Sequence, residues 1–489
     1  MVNIGMRKSS AAAKKFPPPH SRKKRAVVKE DEQLYLVRRD AGAEALLSPK
    51  ESDSRRKITV IPIDYESEAQ QSRACLEKKY RDLFQIRPEA RRLVTYVLNK
   101  HIPVYNWFKF KEGFSRQLVV ELVAQFQLKK KDFVFDPFTG CGTTLLTCKE
   151  LGISAAGIDV LPTSAFVAKV KLLDWRDLDE LLSAVQQLMA IPFREPRISW
   201  PNVRIINLAF TPEVQSQILF FKEEIDKFQP PIRDFLMLGL LSILEAVSRT
   251  SKDGQFLRLV EKSGPPVRDA LRAMLSTMVS DLSQQQQTLF KAGKIRVNVS
   301  QGDARDEKWA EQHRERVAAI ITSPPYLNRY DYSRTYALEL CLLTVKSHRE
   351  MVDVRHSLLR SHVESREHAG KEIHLPALDE VLLQLAGKDL NNNRLPVMVQ
   401  GYFEDMNLVI KNMTKSLKRA GRVALVVANA QFAGENVPVD LMLSELAEQH
   451  GLTTEEIWIT RFKGNSSQQM AIYGRRPVRE SIVFWRKNG

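Results

Sequence analysis

Asp136-Pro-Phe-Thr-Gly-Cys-Gly-Thr-Thr144 follows Val134-Phe135 and precedes the apolar stretch from Leu145 to Leu151. Its reading decides the fold. Val134 and Phe135 begin a buried strand. Gly140 and Gly142 remove side chains where a backbone turn must meet a ligand, and Thr143 and Thr144 open a helix. Gly157-Ile-Asp-Val160 then fits the end of a second strand with a carboxylate at its tip. Strand, glycine turn, helix, strand and acid make the nucleotide-binding half of a doubly wound α/β sheet. No Gly-Lys-Ser/Thr follows the glycines, so nothing is supplied for a β- or γ-phosphate or its magnesium. A neutral or zwitterionic nucleoside suits the turn better than a nucleotide, and Asp159 is placed to take both ribose hydroxyls.

Downstream the strand–helix alternation breaks. From about Trp175 to Ala292 the pattern is almost entirely helical, including Phe235 to Arg249 and Pro266 to Phe290, and predicts a helical insertion over 176–292. The sheet resumes at Ile295-Arg-Val-Asn-Val299 and ends in Gly302-Asp303, where Asp303 can accept from an adenine amine. Val317-Ala-Ala-Ile-Ile321 is a further buried strand running into Thr322-Ser-Pro-Pro-Tyr326. That position is the carboxyl edge of the sheet, where open α/β sheets bind ligands. Two prolines stiffen the turn and withhold two amide donors, so it offers mainly acceptors. The Ser323 hydroxyl and Pro324 carbonyl can take hydrogen bonds from an exocyclic amine, and Tyr326 can stack on a base.

The remaining chain is read around these two turns. Residues 1–30 carry Arg22-Lys-Lys-Arg25 and Pro17-Pro-Pro19 without apolar periodicity, which predicts a disordered basic arm. Residues 31–100 predict a small N-terminal helical region with an edge strand at Ile58–Ile63; Pro88 is expected to divide its helical stretch in two. An amphipathic helix is expected from Arg116 to Phe126. Residues 341–398 are polar and rich in Arg and His. Phe403 to Leu417 fits a helix ended by Gly421; Arg422–Ala428 and Ser481–Trp485 fit strands. The sheet domain is therefore expected to be discontinuous, over 101–175 and 293–489. The chain of 489 residues is 43% hydrophobic, enough for a sizeable core, and carries a net charge of +16, which attracts polyanions, nucleic acid above all. No apolar run approaches the roughly 20 residues a bilayer requires. The four cysteines show no zinc-type pairing and argue against a disulfide framework, so no metal and a reducing cytoplasm are expected.

The two turns together resemble the amino-methyltransferases that act on DNA with S-adenosylmethionine, and Ser-Pro-Pro-Tyr is the form of their cytosine-N4 branch. The adenine-N6 branch more often has Asp or Asn at the position of Ser323. The similarity extends to Tyr105–Ser115, to Arg329–Leu340 and to Arg479-Glu-Ser-Ile482. It implies a Rossmann-like methyltransferase sheet whose cofactor pocket is shaped by Asp136, Phe138, Gly140, Gly142, Thr143, Thr144, Asp159 and Asp303, with Phe114 and Ser115 over the methionine end. It further implies a catalytic pocket of Ser323, Pro324, Pro325 and Tyr326. The amine would attack the sulfonium methyl directly, on a base flipped out of double-stranded DNA. Tyr330, Tyr332, Arg334, Arg355 and Arg360 are the candidates for base or DNA contact, and 341–398 is the candidate target-recognition insertion. A site-specific cytosine-N4 methyltransferase of a restriction-modification or phage-defence system, paired with an endonuclease, is the expectation. Adenine-N6 transfer, amine methylation of structured RNA and a catalytically silent DNA-binding subunit stay open. The motif order departs from the permuted order of many cytosine-N4 enzymes, and the helical insertion sits outside the usual place for sequence recognition.

Overall fold

Val317–Thr322 is apolar without alternation and buried at every position, the pattern of a parallel strand covered on both faces. It is the middle of an eight-stranded sheet in the computed structural model, which describes residues 71–175, 177–253, 256–289, 295–365, 372–464, 474 and 476–489. The arm expected over 1–30 and the strand expected at 58–63 lie outside the described residues. The sheet strands are β1 (Phe84–Ile86), β2 (Phe133–Asp136), β3 (Ser154–Asp159), β6 (Val297–Gln301), β7 (Val317–Thr322), β8 (Leu417–Ala428), β11 (Leu452–Gly464) and β12 (Pro477–Lys487). Hairpins β4–β5 (Thr250–Asp253, Phe256–Leu259) and β9–β10 (Ala430–Phe432, Glu435–Val437) stand apart from it.

The spatial order is β1-β11-β12-β8-β7-β2-β3-β6. Every pairing is parallel except those of β12, which runs antiparallel between β8 and β11. Strand order reverses between β2 and β7, so their carboxyl ends diverge into a crevice. The two expected motifs follow those two strands.

Helices cover both faces. On one, α2 (Arg116–Gln125) and α3 (Thr143–Leu151) bring Leu118, Leu122, Leu145 and Cys148 onto Ala319, Ile321 and Val426. On the other, α10 (Lys308–Gln312), α14 (Pro376–Ala386), α15 (Leu395–Ser416) and α16 (Val439–Gln449) cover Phe135, Ile320, Leu425 and Val483. After α4 (Pro162–Lys171), the insertion supplies α5 (Leu178–Ala190), α6 (Arg204–Ala209), α7 (Pro212–Ile225), α8 (Ile232–Val247) and α9 (Val267–Leu289). It is not wholly helical, because β4–β5 interrupts it between α8 and α9. Its apolar faces pack on Tyr105, Trp107, Phe108 and Tyr336, the segments flanking the crevice. After the Ser323–Tyr326 turn come α11 (Tyr332–Thr335), α12 (Ala337–Leu343) and α13 (His348–Ser357), and the described part of 341–398 is in large part helical despite its polar composition.

Two further expectations are corrected. Among the described residues before 100, α1 (Gln71–Tyr80) is the one α-helix; Phe84–Ile86 is instead a strand paired with Ile457–Ile459, and 3-10 turns follow at Pro88–Arg92 and Tyr96–His101. Helix α15 stops at Ser416, so Gly421 does not end it but lies inside β8. A Cβ there would come 2.8 Å from the Lys418 carbonyl oxygen, which explains the glycine.

The far edge is tied down by Arg479, buried on β12. It donates to Glu77 of α1 (2.6 and 3.0 Å) and to Asp440 of α16 (2.9 Å). Removing it leaves two buried carboxylates without a counter-ion. Arg479→Ala is therefore expected to cost about 3–5 kcal/mol in urea unfolding, against about 0–1 kcal/mol for Lys79→Ala, which breaks only the exposed Lys79–Glu448 pair.

Candidate functional site

The β2–α3 turn is built by backbone demands. Thr139 Oγ1 donates to the Asp136 carbonyl (2.9 Å) and the Gly142 amide to the Thr139 carbonyl (2.9 Å), folding the chain back on itself. Gly140 and Gly142 have φ of 52° and 88°, the left-handed region that glycine tolerates. A Cβ on Gly142 would come 3.0 Å from that of Ala168, and one on Gly140 2.9 Å from the Phe110 ring. On the adjacent strand a Cβ at Gly157 would lie 2.1 Å from Thr139 Oγ1, so the turn also depends on that glycine.

The two strand tips are joined directly. Thr322 Oγ1 donates to Asp136 Oδ1 at 2.6 Å, and the Phe138 amide donates to the same oxygen at 3.1 Å. Thr144 Oγ1 donates to the Ile321 carbonyl (3.2 Å). Asp159 accepts from the Gly140 amide on Oδ2 (2.8 Å) and from the Leu161 amide on Oδ1 (2.9 Å). Each of its oxygens keeps a lone pair for a further donor.

These groups open onto one cleft, whose space is about 870 Å³ counting the part open to solvent. Of the expected residues, Phe114, Asp136, Phe138, Gly140, Thr143, Asp159, Asp303, Ser323, Pro325 and Tyr332 line it. Gly142, Thr144 and Pro324 adjoin lining residues in the two turns but are not part of the lining themselves. Ser115 is buried as the N-cap of α2, accepting from the Leu118 amide, so it is a structural residue and not a cleft contact. Tyr326 is half-buried outside the wall, with Lys463 Nζ 6.0 Å from its ring centroid.

Asp303 lines the cleft but is not the free acceptor expected. Arg305 donates to it from Nε (2.9 Å), Nη2 (2.6 Å) and its own amide (2.8 Å). Arg305 also reaches the Ser357 carbonyl (2.7 Å), a second piece of the cleft wall. Two candidate DNA contacts are likewise committed inside the protein. Arg360 is buried and donates to Asp405 (3.1 and 2.7 Å) and Glu404 (2.8 Å). Arg355 is mostly buried against Asp331 (2.9 Å). Arg334, 48% exposed and paired with Glu364, remains at the surface. Tyr330 is buried with its hydroxyl on Glu112.

Sequence reading missed Phe110, Glu112, Ser164 and Leu358–Leu359 in the wall, and Tyr402, whose hydroxyl donates to the Pro325 carbonyl (3.0 Å). Phe110 and Glu112 stand in the 105–115 segment already singled out; Tyr402 had no local signal.

Among the described residues, the cleft lining contains four carboxylates, Glu112, Asp136, Asp159 and Asp303, and no Lys, Arg or His. In a chain of net charge +16 this is a local reversal suited to a cationic ligand. Aromatic walls, a glycine approach and a carboxylate with two open lone pairs fit S-adenosylmethionine, whose sulfonium and ammonium are positive. Asp159 would hold its ribose, and Phe110, Phe114 and Phe138 its apolar surface.

A family model described as DNA methylase matches residues 4–168. The type II methyltransferase M.AvaI of Nostoc sp. is 36% identical over 447 residues, covering 84% of this chain and 92% of that protein. M.BsoBI of Geobacillus stearothermophilus, also a type II methyltransferase, is 32% identical over 502 residues, covering 89% and 97%. Among solved structures, a SAM-dependent methyltransferase from Methanosarcina mazei overlaps 75% of this chain and 97% of its own at 8% identity, with a TM-score of 0.26.

Burial pushes both Asp136 and Asp159 up to about 6, although hydrogen bonds from Thr322 and from the Leu161 and Gly140 amides pull the other way. Protonation then begins as pH falls through about 6 instead of in the usual carboxylate range. A protonated Asp159 loses an acceptor and a negative charge. Affinity for S-adenosylmethionine, measured by calorimetry without other substrate, should be flat above about pH 7 and fall between about pH 6.5 and 5. The stability contribution of these two groups moves oppositely, since the folded chain binds the extra protons; weakened binding should not track a falling melting temperature.

Proposed function

The chain belongs to the N6/N4 DNA methylase family, and on that premise we propose that it transfers the methyl group of S-adenosylmethionine to the exocyclic N4 of cytosine in duplex DNA. The chain is a DNA methyltransferase that uses this cofactor; the base, the atom and the residue roles are inferred from the cleft. The observation that carries it is that Asp159 and Ser323 line one cleft, with the Thr322–Asp136 hydrogen bond between them.

The cofactor supplies a methyl group activated by a sulfonium. Ser323 Oγ and the Pro324 carbonyl accept hydrogen bonds from the target amine, which raises electron density on its nitrogen and orients its lone pair. Tyr402 holds the Pro325 carbonyl and so fixes the turn that presents those acceptors. Burial raises the Tyr332 phenol, keeping it neutral where it borders the cleft, and its ring offers a flat apolar face to an extruded base. No side-chain nucleophile is required. Cys148 is fully buried with its thiol pushed up by desolvation, which suits a core residue. Extrusion is needed because the amine is inaccessible within the helix. The net positive charge favours the DNA backbone, and Arg334 is the candidate contact that stays exposed beside the cleft-lining Tyr332. The biological setting we infer is the cytoplasm, with methylation shielding DNA from a partner endonuclease.

The test is transfer of labelled methyl from S-adenosylmethionine to genomic DNA lacking modification, with product nucleosides resolved by mass. N4-methylcytosine is expected, and Ser323→Ala should lower its formation roughly a hundredfold or more. N6-methyladenine would overturn the choice of base, because Ser323 can accept from either amine; labelled RNA with unlabelled DNA would overturn the substrate.

A further inference from the structure

Glu112 lies on the cleft wall at the junction of two aromatic groups. Its Oε1 accepts from the Tyr330 hydroxyl, and its Oε2 accepts from the Tyr336 hydroxyl at 2.6 Å. The two phenols lead in different directions. The Tyr336 ring stacks on Phe110, with centroids 5.4 Å apart and planes 15° from parallel. Phe110 lines the cleft and presses on Gly140 of the glycine turn. The Tyr330 ring meets Tyr332 edge-on, with centroids 4.8 Å apart. Tyr332 lines the cleft together with Ser323.

We propose that Glu112 is a positioning residue that clasps the cofactor wall and the target-base wall of the cleft at once, through Tyr336 and Tyr330 respectively. The base-wall half rests on the proposed function; the cofactor half does not.

The physics of the clasp is simple. An ionised carboxylate accepts through both oxygens and donates through neither, so two phenols can share it without competition. Such charge-assisted bonds are stronger than neutral ones and fix ring orientation as well as distance. The glutamate is on the segment preceding α2, whereas both tyrosines follow the catalytic turn, at 330 and at the start of α12. The carboxylate therefore joins chain segments more than 200 residues apart, Tyr330 lying 218 positions and Tyr336 224 positions from it. Tyr336 has additional support from the helical insertion. Lys252 of β4, buried and paired with Glu339, places its ammonium 4.3 Å from the Tyr336 ring centroid. This favours a neutral, electron-rich ring held in one position. The two arms run through different rings, Tyr336 to Phe110 and Tyr330 to Tyr332, so they can be weakened separately.

The experiment uses Glu112→Ala, Tyr330→Phe and Tyr336→Phe in the full chain, with two readouts: calorimetric affinity for S-adenosylmethionine alone, and methyl transfer to unmodified genomic DNA at saturating cofactor. Y336F should weaken cofactor affinity about tenfold, the scale of one hydrogen bond to a charged group, with transfer at saturation within about twofold of wild type. Y330F should do the reverse. E112A should do both, and the E112A/Y336F double variant should bind cofactor no more weakly than E112A. The tyrosine variants lose only a hydroxyl, and melting temperatures identify any variant that fails to fold. Unchanged cofactor affinity in folded Y336F and E112A overturns the clasp, whatever the substrate. Equal loss in both readouts for both tyrosine variants also overturns it, by showing general loosening. Absence of transfer to DNA by the wild-type chain overturns the proposed function instead, and the cofactor readout still decides the Glu112–Tyr336 arm.

Discussion

The Thr322 hydroxyl bonded to the Asp136 carboxylate fixes the spacing of everything else in the cleft. Asp136 ends β2 and begins the glycine turn, while Thr322 ends β7 and begins the Ser-Pro-Pro-Tyr turn. Both are essentially fully buried, so neither has water as an alternative partner. A buried carboxylate without donors would be costly, and Thr322 together with the Phe138 amide meets that need. Because β2 and β7 are the neighbours at which strand order reverses, their turns splay to opposite sides of one crevice. The hydrogen bond sets how far apart the tips can move, and hence, in the proposed reaction, how a cofactor held by one turn would meet an amine held by the other.

Charge is distributed in two opposing patterns. The chain as a whole is strongly basic, whereas the lining of the cleft is acidic and, among the described residues, free of cationic side chains. The first pattern draws in a polyanion and the second a compact cation. Basic groups close to the cleft are withheld from it by pairing. Arg305 is committed to Asp303 and Asp405, Arg360 to Asp405 and Glu404, and Arg355 to Asp331. These pairs also bind α13, α15 and the loop after β6 into one wall, so the stretch at 341–398 contributes to the cleft as structure.

The nucleotide-binding half of the fold was legible because it is local. Gly140, Gly142 and Asp159 lie within a single strand–turn–helix–strand unit, and spacing along the chain reports their spacing in the structure. The Ser323–Tyr326 turn was legible because an unbroken apolar strand leads into it. Strand β11 was missed because Leu452–Gly464 is half-polar near the sheet edge and has no apolar run to announce it. β1 was read as helix because three residues carry no usable period. The roles of Arg355 and Arg360 were misjudged for another reason. A run rich in Arg and His looks like a solvated, anion-seeking face unless its acidic partners are known, and Asp405 is 45 residues from Arg360. Glu112 and Tyr402 were invisible on the same ground, since their partners are separated from them by scores of residues and no local pattern links them.

The most direct measurement of the central claim, that the two turns form one cleft for cofactor and target amine, is a crystal structure with S-adenosylhomocysteine bound. The account predicts ribose hydroxyls on the Asp159 carboxylate and the nucleoside within the cavity that Ser323 also lines. A nucleoside bound outside that cavity, or one that leaves Asp159 without a ligand contact, would contradict it.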